Sequence, residues 1–117
     1  MMKFRLTPHP DYLVVHIGGL VTVPSWQTVL REIEVALAPL QGDRLVIDLM
    51  ALLGWLGVPE RQAVAALMAT HLARMRKVAL VIQRHKITNV VRDEAERLGL
   101  TLRLFTSHSE ARSWVLS

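Results

Sequence analysis

Apolar residues follow two different periods along this 117-residue chain, and segments of the two periods alternate. Near the start, Phe4 and Leu6 alternate with basic residues, and a β-branched stretch at 12–17 follows a proline-rich turn. This pattern predicts an antiparallel hairpin. Three later segments also have the composition of strands: 44–48, 78–82 and 100–104.

Between these strands, apolar residues recur at helical spacing. The clearest stripe follows Thr22, whose side chain can cap a helix. A second helix is indicated near Pro59, and a third is expected from about Ile87 to Leu98, followed by Gly99, a residue type that commonly follows a helix. Ser107 and Glu110 have the spacing of a capping box and predict a fourth helix.

The element order β-β-α-β-α-β-α-β-α predicts one α/β domain over residues 1–117. Strands separated by helices are expected to be parallel, whereas the opening hairpin is antiparallel. We therefore expect a mixed five-stranded sheet covered by about four helices. The pattern leaves the order of the strands within the sheet open.

Composition narrows the classes of function. The chain is 51% hydrophobic and 21% charged and has no cysteine, so we expect a self-sufficient core without disulfides or thiolate sites. Its formal charge of +4 comes from scattered residues, and no aromatic residues interleave with the basic ones. Specific nucleic-acid binding is therefore disfavoured.

Targeting signals are not expected in this chain. Residues 12–30 carry no charge, but His16, two glycines and Pro24 interrupt them, and their period changes midway, so they do not form a membrane span. The N-terminus lacks the apolar stretch of a secretory signal. The cytoplasm is the expected compartment.

The most informative segment runs from Leu49 to Pro59, because its eleven residues carry no charge although a loop normally lies in water. It follows a strand at the side of an open sheet where such folds bind ligands. We expect an apolar binding surface or pocket formed by Leu52, Leu53, Trp55, Leu56 and Val58. Alternatively, Leu52, Leu53 and Trp55 pack under the second helix and complete the core.

A basic run follows the next parallel strand and is expected to emerge beside the apolar segment. Within it, Arg84 and Lys86 are candidates for binding the acidic head of an amphiphile whose tail contacts the apolar segment. The alternative is an ordinary solvated turn before the third helix.

Titratable residues do not form a catalytic or metal-binding pattern. His71 lies on an apolar helical stripe and is expected to be a boundary histidine bonded to one neighbour, and His16, in a strand, is interpreted in the same way. Asp48 is expected to accept hydrogen bonds from the backbone that follows it. We expect no catalytic residues, no metal, no cofactor and no enzymatic activity.

Diffuse motifs over nearly the whole chain resemble a STAS domain, and specifically its SpoIIAA-like branch. They are LVIDL from Leu45, LLGWLG from Leu52, KVALVI from Lys77 and GLTLRLFTSHSEARSWV from Gly99. This resemblance implies a non-enzymatic interaction module. STAS domains act as anti-sigma factor antagonists and as parts of transporters and sensors, and the SpoIIAA-like branch has been linked to apolar ligands and membrane surfaces.

The antagonists in this superfamily carry a phosphorylated serine just after the third strand, and this chain departs from them there. No Ser, Thr or Tyr lies between Asp48 and Met68, so no hydroxyl can accept a phosphate in this segment. We expect a module that binds an apolar or amphiphilic molecule or a membrane surface. If it binds a membrane, we expect a peripheral association. The alternative is a regulatory protein-interaction module that binds a protein partner or forms a homodimer.

Overall fold

Strands and helices alternate along the chain in the computed structural model, which describes residues 2–117. The strands are β1 (Lys3–Pro8), β2 (Leu13–Leu20), β3 (Arg44–Leu53), β4 (Lys77–Val81) and β5 (Leu102–Phe105). The helices are α1 (Val23–Leu37), α2 (Val58–His71), α3 (Val90–Arg97) and α4 (His108–Leu116), with a short 3₁₀ helix at Arg84–Lys86.

The five strands form one sheet in the order β1-β2-β3-β4-β5. The β1–β2 pair is antiparallel, and the other three pairs are parallel. The expected mixed sheet with an opening hairpin and four helices is therefore confirmed. Its strand order, which the sequence pattern left open, follows the order of the chain.

Two cores hold the layers together because apolar side chains cover both faces of the central strands. On one face, Leu45 and Ile47 of β3 pack in a large cluster with residues of α1, α2 and α3. On the other face, Val46 packs in a smaller cluster with Ala111 and Val115 of α4. The uninterrupted apolar runs in the sequence therefore reflect strands that are buried on both faces.

Side-chain caps begin two of the helices as expected. The Thr22 hydroxyl accepts a hydrogen bond from the backbone N–H of Ser25 at 3.1 Å, and the Ser107 hydroxyl accepts one from that of Glu110 at 3.4 Å. Helix α2 differs, because its N-cap is Gly57, which has no side chain to cap it, and Pro59 lies in its first turn. The α2 N-terminus is thus left without a side-chain partner.

Strand β3 is longer than the sequence pattern predicted. The prediction that it ends at Asp48 is wrong, because residues 51–53 continue the parallel pairing with residues 18–20 of β2. The register shifts between His16 and Gly18, where β3 has one residue more than β2, and β2 continues through both glycines to Leu20. Gly18 allows this close pairing, since a Cβ at that position would lie 3.2 Å from the Ala51 Cβ. The predicted loop therefore shrinks to residues 54–57.

The region before α3 also differs from the prediction. The third helix was expected to begin near Ile87, but it begins at Val90. The preceding basic run forms the 3₁₀ helix, in which the backbone N–H of Ile87 donates to the carbonyl of Arg84. This tight turn follows the carboxyl end of β4 and places the Lys86 side chain near β3.

No helix within residues 2–117 has both the length and the apolar character that crossing a bilayer requires.

Gly54 ends β3 with a positive φ of 94°, and a Cβ there would lie 3.2 Å from Leu20 Cδ1 and 3.3 Å from Val21 Cγ2. We expect Gly54→Ala to lower the free energy of unfolding in urea, because it adds this crowding to the backbone strain. Gly42→Ala is the matched control: φ is 112° there, but no atom lies within 4 Å of the added Cβ. Gly54→Ala should lose about 1 kcal/mol more than the control. Equal losses would contradict the close packing of the loop on β2.

Candidate functional site

Large apolar side chains lie exposed where β2 and β3 end. Leu20 and Leu53 are register partners at the carboxyl ends of the two strands, and 55% and 64% of their surfaces are exposed. Trp55, in the loop, and Val58, at the start of α2, are also about half exposed. We call these four residues the carboxyl-end surface. Leu20 and Leu53 are paired across the two strands, and Trp55 and Val58 follow within five residues of Leu53, so exposed apolar residues are concentrated at this end of the sheet.

A small cavity of about 80 Å³ lies at the same end of the sheet, on the face that Leu52 enters. Its walls are mostly apolar and include Trp26 of α1, Leu52 of β3, Leu56 of the loop and Met68 of α2. The lining also includes the side chains of Trp55, Arg61, Lys86 and Thr88, and it contains no acidic residue. The cavity therefore combines an apolar interior with two cationic groups.

Arg61 connects the cavity to the carboxyl-end surface. Its guanidinium carbon lies 3.7 Å from the centroid of the Trp55 ring, which is a cation–π arrangement. The Arg61 Nη1 atom also donates a long hydrogen bond of 3.4 Å to the Thr88 hydroxyl, across from α2 to the segment before α3. One side chain thus contacts both the indole at the surface and a hydroxyl in the cavity wall.

Lys86 approaches the cavity from the 3₁₀ helix. Its Nζ atom donates a 3.0 Å hydrogen bond to the backbone carbonyl of Leu52, at the end of β3. Neither Lys86 nor Arg61 forms an ion pair with a carboxylate within the described part of the chain. Two positive charges therefore lie beside an apolar space, and only neutral groups accept their hydrogen bonds.

The structure separates the candidate residues into three groups. Leu52, Trp55, Leu56 and Lys86 line the cavity. Leu53 and Val58 lie exposed beside it, and Arg84 is exposed in the 3₁₀ helix and does not line it. The alternative of complete burial fails for Leu53, Trp55 and Val58 but describes Leu52, which is 4% exposed, and Leu56, which packs against the core.

Arg61 was not among the candidate residues, because its position three residues after Val58 looks like the polar face of an ordinary helix. The available signal was its place in the first turn of α2, two residues after the uncharged segment ends at Pro59. A cationic side chain at that position can extend back over the loop, and in the structure Arg61 contacts the Trp55 ring in this way.

A second polar cluster lies on the opposite face of the sheet, around Asp48. One carboxylate oxygen, Oδ2, is hydrogen-bonded to His108 Nε2 at 2.7 Å and lies 3.2 Å from His16 Nδ1. The other, Oδ1, accepts one from the backbone N–H of Met50 at 2.8 Å. The expectation that Asp48 accepts backbone hydrogen bonds is confirmed, but the two histidines were missed because they lie far away in sequence.

These interactions set the ionisation of Asp48. Burial alone would raise the pKa of the carboxyl, but the hydrogen bonds from His108 and from the backbone of Met50 lower it, as do the charges of His108 and His16. The net effect is a pKa below the usual value. Asp48 therefore remains an anion that joins the N-terminus of α4 to β2 and β3.

His71 lies at the boundary between α1 and α2, as expected. Its Nδ1 atom is 2.8 Å from Oε1 of Glu34, the one side chain with which it is hydrogen-bonded. In residues 2–117, no three histidine or acidic side chains are arranged to hold a metal ion.

Comparisons with known proteins identify the fold. No family model and no curated protein matches the chain. An uncharacterised DUF3478-family protein with a SpoIIAA-like fold, from Shewanella loihica PV-4, has a TM-score of 0.63 and 19% identity over 97% of this chain and 93% of its own. An anti-sigma factor antagonist from Mycobacterium paratuberculosis has a TM-score of 0.63 and 16% identity over 100% and 96%, respectively.

The chain therefore has a SpoIIAA-like fold, which confirms the fold that the sequence resemblance implied. At identities this low, the likeness carries the arrangement of strands and helices and no particular activity. The function must be argued from the chain's own surface and cavity.

Acid titration tests the Asp48 cluster. Because the folded pKa of Asp48 lies below its unfolded value of about 3.9, its stabilising contribution is complete above that value and is lost as the pH falls through the folded pKa. We expect Asp48→Asn to lower the free energy of unfolding at pH 7, with a difference from the unsubstituted chain that shrinks as the pH falls below about 4. Asp11→Asn, an exposed control, should show little difference at either pH. A pH-independent difference for Asp48→Asn would contradict the ionic role.

Proposed function

We propose that this chain is a non-catalytic regulatory module that contacts another protein through the carboxyl-end surface. The observation that carries the proposal is the joint exposure of Leu20, Leu53, Trp55 and Val58 at the end of the sheet. Contiguous exposed apolar side chains are unfavourable in water, and covering them is a major source of affinity in protein complexes. A large aromatic near the centre of such a patch is a frequent anchor.

The fold supports the same proposal, because one of the similar structures is an anti-sigma factor antagonist. Regulation through contact with a protein requires a stably folded domain and a surface for the partner. The carboxyl-end surface is the candidate for that surface in this chain. Regulation by phosphorylation of the loop is not part of the proposal, since residues 49–67 contain no hydroxyl side chain. A cysteine-free chain of this kind suits the reducing cytoplasm, where we propose that it acts.

Leu53→Asp is the variant that tests this function, because the Leu53 side chain is exposed and its replacement places a charge in the apolar patch without opening the core. Val35→Asp is the matched control, since Val35 is 71% exposed and lies near the C-terminal end of α1, whereas the N-terminal end of α1 follows β2. We expect a partner captured from the native cell by the unsubstituted chain to be retained by Val35→Asp and lost with Leu53→Asp. Analytical ultracentrifugation of the same variants tests a homodimer, which Leu53→Asp should dissociate. A monomer with no partner, or equal binding by both variants, would overturn the proposal.

The second candidate function is binding of an apolar or amphiphilic molecule, or of a membrane surface. The cavity favours it, because an apolar space with two cationic groups at its wall suits a molecule with a tail and an acidic head. The exposed apolar side chains around the cavity would contact the remainder of such a molecule or the interfacial region of a bilayer.

Organic extraction and native mass spectrometry of the purified chain test this second candidate. We expect a co-purified molecule in the unsubstituted chain and its loss in Trp55→Ser, because that variant removes the indole that covers the cavity. Trp114→Ser, on the other side of the sheet, should retain it. If neither a bound molecule nor association with liposomes is found for the unsubstituted chain, this candidate fails.

A further inference from the structure

Arg61 and Lys86 are cations that face an apolar cavity without an anionic partner. Arg61 contacts the Trp55 ring and the Thr88 hydroxyl, and Lys86 donates to the Leu52 carbonyl. Charge-assisted hydrogen bonds to a carboxylate are about twice as strong as those to neutral acceptors. Both side chains therefore gain if an anion enters between them, and the cavity lining contains no acidic residue to repel it.

The size of the cavity restricts what accompanies that anion. Its volume of about 80 Å³ is roughly half that of the ~150 Å³ engineered cavity that takes up benzene. Only a short apolar group fits while Trp55 covers the space. The ring of Trp55 is about half exposed, so its outward movement is the simplest way to admit anything larger.

We propose that the cavity binds a short-chain carboxylate, whose tail lies among the apolar walls and whose head binds Arg61 and Lys86, and that this binding draws Arg61 away from Trp55. The inference rests on the second candidate function and names the ligand class. Because a guanidinium binds a carboxylate more strongly than it binds an exposed aromatic ring, the carboxylate displaces the cation–π contact.

A consequence for regulation follows from the position of Trp55, which belongs to both the cavity lining and the carboxyl-end surface. Release of its ring by Arg61 changes the surface offered to a protein partner. The bound carboxylate thus brings a negative charge to a loop that has no hydroxyl to phosphorylate.

The test is a pair of titrations followed by NMR, with hexanoate and its uncharged analogue hexanamide as probes. We expect hexanoate to bind at least about tenfold more tightly, because only the carboxylate forms charge-assisted bonds with both cations. Arg61→Gln and Lys86→Gln should each weaken hexanoate binding by about tenfold and leave hexanamide binding unchanged. Arg84→Gln is the matched control, because Arg84 lies in the same 3₁₀ helix as Lys86 but does not line the cavity. Thermal unfolding of each variant checks that it is folded.

The indole N–H resonance of Trp55, assigned with Trp55→Phe, reports the displacement of Arg61. It should shift with hexanoate in the unsubstituted chain, whereas that of Trp114, which packs on the other face of the sheet, should not. An unchanged Trp55 resonance despite hexanoate binding would overturn the displacement.

The outcomes separate this inference from both candidate functions. Equal binding of hexanoate and hexanamide would overturn the carboxylate head and leave an apolar ligand standing. Binding of neither would overturn the ligand candidate as well, while the protein contact is judged separately by Leu53→Asp. Arg61-dependent binding to phosphatidylglycerol vesicles without hexanoate binding would assign the cations to a lipid surface and overturn a soluble carboxylate.

Discussion

The parallel pairing of β2 with β3 beyond the register shift is the constraint on which the candidate site depends. Residues 18–20 and 51–53 continue the ladder past the part of the sheet that is covered by helices on both faces. Because backbone hydrogen bonds hold this extension as strand, its side chains must alternate between two sides, and only one side has a core to enter. Leu52 is consequently buried while its neighbour Leu53 is exposed. The apolar surface is thus a result of backbone geometry.

Much of this fold was predictable from short-range sequence patterns, as the helix caps show. Thr22 and Ser107 cap helices through contacts three residues away, so sequence spacing was enough to predict them. The end of β3 could not be predicted in this way, because its extension depends on pairing with Gly18, more than thirty residues earlier in the chain. Strand order was likewise open, since the same element pattern is compatible with several arrangements.

The candidate site was predictable in its apolar part only. An uncharged run of eleven residues is visible in the sequence, and the structure does expose Leu53, Trp55 and Val58 from it. Arg61 and Thr88 belong to segments with ordinary polar patterns, and only the packing of α2 beside α3 brings them together. The Asp48 cluster shows the same limit, because His16, Asp48 and His108 come from three distant segments whose meeting is a property of the tertiary fold.

The second face of the sheet is covered by α4 alone, with Asp48 joined to its first residue, His108. During synthesis on the ribosome, the strands and the other three helices emerge before this helix does. Until α4 emerges, nothing covers that face at Val14, Val46, Ala79 and Val81. The nascent chain then exposes an apolar face that is prone to aggregation. A chaperone that shields this face until α4 packs against it would therefore favour productive folding over aggregation.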